Sequence, residues 1–392
     1  MKVLCIGDPH IKVDNLSETD LMIAEIERVC IETKPDIIVC MGDILDRHST
    51  IHVQCLIMAE KLVAKLSVYA PFYLIIGNHD RPNNSNFLTE EHAFNSMKKW
   101  PNVVVVDTVK TLKINFANFV FVPYVPNNRF AEALQKIDFN HISNTEDNTQ
   151  PNIQDNTQSN IQDNTQCDNT QSNTQSNIQS NIQDNTQDNT QCEKYTAIFC
   201  HQEFKGAQMG KIISESGDVW DKESTLIISG HIHEYGNPQK NIYYVGAPRQ
   251  QNFGESPDKM LSLFTFHNTK NTENKENTEN TENKSYNHER INLNLPSKIT
   301  IHLKTTEIND YIPDFKNKIK LVISGTESEI KVISKNKKLQ ELKKQGIKIA
   351  FHTVSDIHVK SEVYNVKKPY LERLLSDISD NPNLLKIWQT IF

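Results

Sequence analysis

The sequence predicts an α/β fold, with a layered β-sandwich core flanked by helices and a small α+β domain at the C-terminal end. Three observations support this prediction. Short apolar runs alternate with amphipathic segments along the N-terminal region. Polar Asp, Asn and His residues follow directly after several of these runs, as they do at the carboxyl ends of strands in an α/β sheet. The length of 392 residues leaves room for about two to three domains.

Apolar periodicity predicts the elements of the N-terminal half. Uninterrupted apolar runs indicate buried strands, and apolar residues spaced three or four apart indicate amphipathic helices. In chain order we expect a strand at 2–6, a helix at 17–33, a strand at 36–41, a helix at 50–67 and a strand at 72–76. Strands at 103–106, 111–114 and 119–123 follow with little helix between them, which favours a second sheet of a layered sandwich.

The C-terminal half continues this pattern and then changes. Further strands are expected at 196–200, 225–229, 242–245 and 261–266. Residues 291–392 are predicted to form a separate α+β domain. Its expected elements are strands at 299–304, 319–324 and 347–352, a helix at 327–345 and a helical tail at 368–391.

Two low-complexity tracts interrupt the apolar runs. Residues 144–193 repeat Asp-Asn-Thr-Gln and Ser-Asn-Ile-Gln, and residues 267–290 repeat Asn-Thr-Glu-Asn. The few apolar residues of 144–193 cannot offset the entropy of ordering the chain, so this tract is predicted to be disordered; an aggregation-prone Asn/Gln tract is the alternative. We therefore expect a first domain at 1–266 that is interrupted by the insert 144–193, a linker at 267–290, and the second domain at 291–392.

The insert 144–193 leads to a testable prediction. Deleting residues 146–192 is expected to leave the activity of the first domain intact. The reason is that the apolar run and the His at 196–201 continue the pattern that the insert interrupts. Metal-dependent hydrolysis by the deleted and full-length proteins checks this. Loss of hydrolysis in a folded deletion variant would show that the insert has a functional role.

The charge of the chain is unevenly distributed. The formal net charge is −7, which alone argues against a partner such as nucleic acid. The insert 144–193 contains eight acidic residues and no Lys or Arg, whereas residues 291–392 contain 17 Lys and Arg against 11 Asp and Glu. A basic C-terminal domain suits a polyanionic partner, with a solvated Lys-rich surface as the alternative interpretation.

The cysteines and the hydropathy pattern indicate the compartment. The chain has seven Cys and no Cys-x-x-Cys pair, and several of the Cys lie in apolar strand-like runs. This usage is typical of a reducing environment. No apolar run approaches the length of a signal peptide or a membrane helix, so we expect a soluble intracellular protein without a membrane partner.

Five short blocks carry the chemistry, and each follows an apolar run. They are Gly7-Asp8-Pro9-His10, Gly42-Asp43-Ile44-Leu45-Asp46, Gly77-Asn78-His79-Asp80, Cys200-His201 and Gly230-His231-Ile232-His233. Each block alone is a weak signal, since Gly-Asp is a common turn and a single His at a strand end is usually a satisfied polar residue. The order of all five makes independent coincidence untenable. Carboxylate, amide and imidazole groups gathered in this way can hold two divalent metals, and two metals imply phosphoester hydrolysis.

Individual residues suit different parts of such a site. Asp8 and His10 are two apart, so in extended chain their side chains point to the same side. The two oxygens of Asp43 can bridge two cations, and Asn78 offers a neutral carbonyl oxygen. His79, next to it, can reach the substrate instead of a metal. Three further imidazoles come from later strands: His201, His231 and His233.

This five-block order resembles the calcineurin-like metallophosphoesterase superfamily, over residues 1–266 without the insert. The resemblance implies two divalent ions. Mixed oxygen and nitrogen ligands suit manganese, and iron, zinc and cobalt are the alternatives that such families also use. The resemblance implies that one ion is held by Asp8, His10, Asp43 and His233. It implies that the other ion is held by Asp43, Asn78, His201 and His231. In this family His79 would stabilise the transition state or protonate the leaving oxygen, and Asp80 would orient His79.

Further residues resemble one branch of the superfamily. The third block ends in Asp80, where protein Ser/Thr phosphatases usually have Glu, and His48 stands where they have Gly after an Asp-Arg pair. Residues 244–255, which include Gly246-Ala247-Pro248, resemble the segment after the last metal motif in SbcD-type DNA-repair nucleases. By position and element order, 291–392 resembles their DNA-contacting capping domain. The resemblance implies DNA as a partner, an SbcC-type coiled-coil ATPase bound through helices such as 368–391, and the homodimer common in this branch. A helix at 368–391 that packs on its own domain is the alternative interpretation of that segment.

Three functions are compatible with these observations. The first is a manganese-dependent DNA exonuclease or endonuclease of DNA repair or recombination. The second is a phosphodiesterase or phosphatase that acts on small molecules or phosphoproteins, and an absence of DNA binding would favour it. The third is a non-enzymatic scaffold that kept the fold, although such proteins typically lose metal ligands and this sequence keeps all those expected.

Overall fold

The computed structural model describes residues 1–48, 50–137, 195–210, 212–221, 223–268 and 285–354, together with positions 379 and 384. The chain divides into two compact units. The first comprises Met1–Ile299 and Asp314–Lys318, and the second comprises Thr300–Pro313 and Ile319–Phe392. The insert 144–193 and the helical tail at 368–391 that the sequence predicts lie outside the described residues, apart from positions 379 and 384.

The first unit contains most of the strands. In chain order the strands are β1 (Lys2–Ile6), β2 (Ile37–Cys40), β3 (Phe72–Ile75), β4 (Val103–Val106), β5 (Lys110–Ile114), β6 (Ala117–Val122), β7 (Ala197–Cys200), β8 (Gln208–Met209), β9 (Ile212–Ile213), β10 (Ile227–Ser229), β11 (Gly236–Gln239), β12 (Ile242–Tyr244), β13 (Met260–Phe266) and β14 (Tyr286–Asn292). The α-helices are α1 (Leu16–Thr33), α2 (Val53–Leu66) and α3 (Phe130–Leu134). Short 3-10 helices lie at Val13–Asn15 and Asn95–Lys99.

Two six-stranded sheets form the framework of this unit. The strand order is β14-β13-β1-β2-β3-β4 in one sheet and β11-β12-β10-β7-β6-β5 in the other. Strands β1 to β4 run parallel to one another, as do β6, β7, β10 and β12. The carboxyl ends of parallel strands share one edge of a sheet, which is where polar residues for a site collect.

The two sheets pack face to face through an apolar core. Buried residues of β1, β2 and β3 contact aromatic residues of β6 and β7, with Tyr73 stacked on Phe121 at 4.3 Å between ring centroids. The outer face of the first sheet packs against α1 and α2, and that of the second packs against α3 and neighbouring loops. Strands and helices alternate along the chain in the first sheet, and the second sheet packs on it as another layer. The predicted α/β class is therefore confirmed.

The second unit is a smaller α+β assembly. Its elements are β15 (Lys298–Lys304), a 3-10 helix (Thr305–Glu307), β16 (Lys318–Gly325), α4 (Glu327–Ile333), α5 (Lys337–Lys344) and β17 (Lys348–Thr353). The first residues of β15 and β16, namely Lys298, Ile299 and Lys318, belong to the first unit. The strands form a three-stranded sheet in the order β15-β16-β17. Apolar residues of the sheet and of both helices enclose a separate core around Leu321, Ile323 and Leu339.

The structure differs from the sequence-based element limits in two places. The single helix predicted at 327–345 is two helices, because the chain turns between Ser334 and Asn336, and the Asn336 side chain accepts a hydrogen bond from Leu339 N to begin α5. Residues 286–290 of the predicted linker and residues 291–292 of the predicted second domain belong to the first sheet. They form β14, which pairs in antiparallel register with β13, so the first unit extends to Ile299.

None of the helices formed by the described residues combines the length and the apolar composition that a bilayer span requires.

A buried ion pair at the end of β4 leads to a stability prediction. The carboxylate of Asp107 is buried and contacts Lys98 and the Nε2 of His92, the latter at 3.3 Å. Burial alone would raise the pKa of Asp107, but hydrogen bonds from His92 and Lys98 hold that pKa well below its usual range. A carboxylate with a lowered pKa stabilises the folded state above its unfolded pKa of about 3.9 and loses this contribution as the pH falls further.

Asp107→Asn is therefore expected to lower the free energy of unfolding by about 2 kcal/mol at neutral pH, since it replaces charged hydrogen bonds with neutral ones. The difference between wild type and variant should narrow as the pH falls below about 4. Urea unfolding at neutral and acidic pH measures it. A difference that stays constant with pH would show that the charge of Asp107 is not the cause.

Candidate metal centre

The sequence-predicted site residues collect at the carboxyl ends of parallel strands. Asp8 and His10 follow β1, and Asp43 follows β2. Asn78 and His79 follow β3 in the same sheet. From the opposing sheet, His201 follows β7, and the pair His231 and His233 follows β10. The structure brings all of these side chains to one place, although they come from positions 8 to 233 of the chain.

Three of these residues have an unusual backbone conformation. His10, Asp43 and His231 have positive φ angles of 43°, 49° and 76°. Non-glycine residues adopt this left-handed region rarely, and in proteins such strain concentrates at functional sites. In each case the conformation turns the chain sharply at a strand end, so that the side chain points toward the other sheet rather than continuing the strand.

Gly42 permits the close approach of the two sheets at this point. Its φ is +105°, and a Cβ at this position would lie 2.5 Å from Nδ1 of His201. A side chain at position 42 would therefore displace His201.

One half of the site is formed by His10, His233 and Asp43. The Nε2 atoms of His10 and His233 lie 2.9 Å apart, and Nε2 of His10 lies 3.6 Å from Oδ2 of Asp43. His10 and Asp43 are buried, and His233 is partly exposed.

The other half is formed by Asn78, His201 and His231, together with the same oxygen of Asp43. Oδ1 of Asn78 lies 2.9 Å from both Nε2 of His201 and Nδ1 of His231. Nε2 of His201 lies 3.3 Å from Oδ2 of Asp43. The Nδ1 of His201 donates to the carbonyl of Met41 at 2.7 Å, which leaves Nε2 to face the centre. Asp43 Oδ2 thus lies between the two halves.

These donor atoms fit divalent cations. Two groups have ligand atoms within 4.8 Å of one another: His10, Asp43 and His79, and Asp43, His201 and His231. The Nε2 atoms of His10 and His233 face each other at a distance at which only one of them can carry a proton. Oδ2 of Asp8 is buried without a hydrogen-bond partner among the described residues, while Oδ1 accepts from His231 N at 2.9 Å. A buried carboxylate oxygen without a donor is the arrangement that a cation completes.

The electrostatics of the site follow from the crowding of these groups. Burial alone would raise the pKa of Asp43, but the adjacent His201, His10 and His79 lower it. Burial would conversely lower the pKa of His201, but the nearby Asp43 and Asp8 carboxylates raise it to about 9. Burial and the neighbouring His201 lower the pKa of His231 to about 4. The neutral form of His231 that results is the form that binds metals.

His79 lies beside the centre and its ring is fixed from behind. Its Nδ1 donates to the carbonyl of Asp46 at 2.8 Å, and its backbone N–H donates to Oδ1 of Asp43 at 2.8 Å. The ring of His48 stacks on that of His79 with centroids 4.3 Å apart, and Nδ1 of His48 donates to the carbonyl of Asn78 at 2.8 Å. This leaves the Nε2 of His79 as the atom available to a substrate.

The hydrogen bonds of the Asp80 carboxylate go to backbone groups and not to the ring of His79. The carboxylate accepts hydrogen bonds from the backbone N–H groups of Gly77 and Leu45, both at 3.0 Å. The hydrogen bond that orients the His79 ring is thus the one to the Asp46 carbonyl. Asp80 instead joins the turns that follow β2 and β3. Burial and the proximity of Asp43 raise the pKa of Asp80 to about 6.

Sequence reasoning did not assign a role to Asp46 or His48. The Asp46 carboxylate lies 3.6 Å from Nδ1 of His10, and its carbonyl holds His79. The available signal was their position in the sequence, since Asp46 ends the second block and His48 follows it by two residues. Spacing along a loop does not reveal which neighbouring ring it will contact, so this role required the structure.

Comparisons with known proteins agree with this geometry. The profile of the family described as Calcineurin-like phosphoesterase matches residues 1–235. “Putative phosphoesterase 244L” of Invertebrate iridescent virus 6 is 32% identical to this chain over 341 residues, which cover 86% of this chain and 98% of the viral protein. “Putative phosphoesterase 078R” of Invertebrate iridescent virus 3 is 29% identical over 384 residues, which cover 96% and 92% respectively. Both viral proteins are thus similar to this chain over nearly their whole length.

Proposed function

This chain belongs to the calcineurin-like phosphoesterase family, and from that premise we propose that it is a two-metal DNA nuclease of the SbcD type. The observation that carries the proposal is the position of Asp43 between the two histidine groups. Its Oδ2 lies 3.6 Å from Nε2 of His10 and 3.3 Å from Nε2 of His201. A single carboxylate shared by two imidazole groups is the arrangement that a pair of bridged cations requires.

Each ion would be held by the side chains of one half of the site. Asp8, His10, Asp43 and His233 would hold one, and Asp43, Asn78, His201 and His231 would hold the other. Mixed carboxylate, amide and imidazole ligands suit Mn²⁺, which we propose as the ion. When bound, such ions lower the pKa of a coordinated water toward neutrality and neutralise charge on the phosphate oxygens.

The protein's own residues supply the rest of the chemistry. The hydrogen bond from Nδ1 of His79 to the Asp46 carbonyl places a proton on Nδ1. When Nε2 is also protonated, it can donate to the leaving oxygen or bind a phosphate oxygen. The Asp43 hydrogen bond from His79 N fixes the turn that carries this ring. Stacking of His48 on His79 restricts rotation of the ring and shields one of its faces from water.

Three features support DNA as the substrate. Residues 244–255 carry the segment that resembles SbcD-type nucleases. Residues 291–392 are basic, with 17 Lys and Arg against 11 Asp and Glu. Within the second unit, helix α5 presents four lysines and one glutamate among its eight residues. Lys337, Lys343 and Lys344 are exposed and Lys338 is partly exposed, and such a row of lysines suits the phosphate backbone of a nucleic acid.

A second candidate function has one specific observation in its favour. A cavity of about 580 Å³, lined among others by Lys12, Asp46, Arg47 and His52, opens beside the centre. Cavities of this size typically hold small molecules, and the two cations would suit a phosphorylated one. A phosphodiesterase or phosphatase for small molecules or phosphoproteins is therefore the alternative.

The partners follow from the same proposal. An SbcC-type coiled-coil ATPase would bind through the C-terminal region, and the nuclease would act as a homodimer. Copurification of a large ATPase from the native source, and the mass of the purified protein in solution, test these two points.

The lysines of α5 separate the two candidate functions. Replacing Lys337, Lys338, Lys343 and Lys344 with Gln is expected to weaken binding to linear duplex DNA by roughly 10- to 1000-fold at low salt and to flatten its salt dependence, since fewer counterions are released. Hydrolysis of bis(4-nitrophenyl) phosphate should stay unchanged, because this small diester needs only the metal centre. Nucleotide release from duplex DNA in Mn²⁺ should fall with the DNA affinity.

A matched control replaces four exposed lysines of the first unit with Gln: Lys34, Lys99, Lys113 and Lys240. This variant loses the same net charge and should keep DNA digestion near the wild-type rate. Wild-type protein that cleaves the small diester but neither binds nor digests DNA would contradict the nuclease proposal and favour the alternative. Equal losses in both quadruple variants would show that net charge, and not α5, governs DNA binding.

A further inference from the structure

The segment Gly246–Glu255 follows the last predicted ligand and makes contacts that the proposed chemistry does not use. It begins two residues after the end of β12 and packs against the turn that follows β1. A Cβ at Gly7 would lie 1.7 Å from the carbonyl oxygen of Gly246, so the backbones of these two segments are in direct contact. The side chains that follow Gly246 determine which groups of the turn after β1 the segment holds.

Arg249 is buried and its guanidinium reaches the turn that carries two predicted ligands. Its Nη2 donates to the carbonyl of Pro9 at 3.0 Å and to Oγ1 of Thr19 at 3.1 Å, and its Nη1 lies 3.5 Å from Oε2 of Glu18. Pro9 lies between Asp8 and His10. The arginine therefore ties this turn to the first helix, α1.

Gln251 makes a second connection to the same turn. Its Nε2 donates to the carbonyls of Pro9 and Asp8, at 3.1 and 3.3 Å. Its backbone N–H donates to Oε2 of Glu255 at 2.8 Å, which fixes the segment itself. Two side chains of one segment thus hold two successive carbonyls of the turn, including the carbonyl of a predicted ligand.

The same segment also holds His233. The backbone N–H of Ala247 donates to the carbonyl of His233 at 2.9 Å. The Nζ of the buried Lys259 donates to that carbonyl at 2.7 Å and lies 3.6 Å from Oε2 of Glu255. Asp8, His10 and His233 are the residues of one half of the centre that the other half does not share.

We propose that Gly246–Glu255 is a clamp, with Arg249 and Gln251 as positioning residues that hold the half of the centre formed by Asp8, His10 and His233. This inference rests on the two-ion site proposed above. Among the described residues, the hydrogen bonds of the two positioning side chains do not reach Asn78, His201 or His231. His201 is held instead by the Met41 carbonyl. Asp8 Oδ1 also accepts a hydrogen bond from His231 N at 2.9 Å. Of the residues of the centre, however, the two positioning side chains contact only the Asp8–His10 turn, so we expect their loss to act mainly on the ion site that this turn supplies.

Removing Arg249 should not leave an uncompensated charge in the protein. Glu18 also lies 3.0 Å from Nζ of Lys298 and 3.6 Å from Nζ of Lys318. The Pro9 carbonyl keeps Gln251 as a donor. An Arg249→Met variant should consequently fold, and its defect should appear in the position of the turn.

The test counts ions rather than turnover. Chelator-treated wild type, Arg249→Met and Gln251→Leu are titrated with Mn²⁺ by isothermal calorimetry, with Arg290→Met as the control. Arg290 is a partly buried arginine paired with Asp258, and it does not contact the Asp8–His10 turn. We expect wild type and the control to bind two ions, and each clamp variant to bind one with wild-type affinity and the other about 10- to 100-fold more weakly.

Electron paramagnetic resonance gives an independent readout. At one Mn²⁺ per chain, each clamp variant should show the hyperfine pattern of an isolated ion, whereas fully loaded wild type should show a spin-coupled pair. Equal weakening of both sites, or two unchanged sites in both variants, would overturn the clamp while leaving the two-ion site intact. Fewer than two ions on wild type would contradict the site itself, and the clamp with it.

Discussion

Asp43→Asn is expected to remove nearly all hydrolytic activity, by roughly 10³-fold or more, because it takes the only shared ligand from both proposed ions. Loss of several kcal/mol of electrostatic stabilisation corresponds to a change of that size. Asn has the same shape as Asp, and its amide oxygen can still accept the hydrogen bond that Oδ1 takes from His79 N. The amide nitrogen would replace Oδ2, however, and would face His10 and His201 without a negative charge.

The measurement is hydrolysis of a small phosphodiester together with the number of bound Mn²⁺ ions per chain. Asp107→Asn is the matched control, since it also neutralises a buried carboxylate. Asp107 contacts His92 and Lys98 rather than the metal centre. The control should lose stability and keep its ions. An Asp43→Asn variant that binds two ions and turns over normally would refute the bridging role.

His79→Ala is expected to give the second-largest effect, with a different signature. Turnover should fall by about 10²- to 10⁴-fold, as for the loss of a positioned acid or base, while KM and the ion count stay near wild type. The reason is that Nδ1 of His79 is bonded to the Asp46 carbonyl and Nε2 is left for the substrate. Steady-state kinetics and metal content of the same preparation measure this.

His79 also lies within reach of His10 and Asp43, so the ion count decides its role. A variant that loses an ion would make His79 a ligand and not a catalytic residue. His48→Ala provides the comparison, since it removes the ring stacked on His79 but leaves the Asp46 hydrogen bond in place. Its effect on turnover should be smaller than that of His79→Ala.

The fold could be predicted from local signals to a large extent. The strands that lead into the five blocks are short runs of buried apolar residues, and such runs are recognisable without knowing their partners. The limit between the units was harder to predict. Strand β14 (Tyr286–Asn292) has alternating, mostly polar residues, and its assignment to the first sheet depends on pairing with β13, which a sequence pattern does not reveal.

The site shows the same division. Residue types at strand ends predicted which side chains would meet, because parallel strands place their carboxyl ends together. The partners of each ring could not be predicted in the same way. That Asp46 rather than Asp80 holds His79 depends on a backbone carbonyl, and every residue has one. The roles of Arg249 and Gln251 likewise depend on contacts across about 240 residues of chain.

We propose that the residues after these strands form a two-ion phosphodiesterase centre. The most direct test strips the wild-type protein with a chelator, restores Mn²⁺ stepwise and follows both bound ions and hydrolysis of bis(4-nitrophenyl) phosphate. We expect no hydrolysis by the stripped protein and a rate that reaches its maximum as two ions bind per chain. Full hydrolysis by the stripped protein, or saturation of ion binding without any hydrolysis, would contradict it.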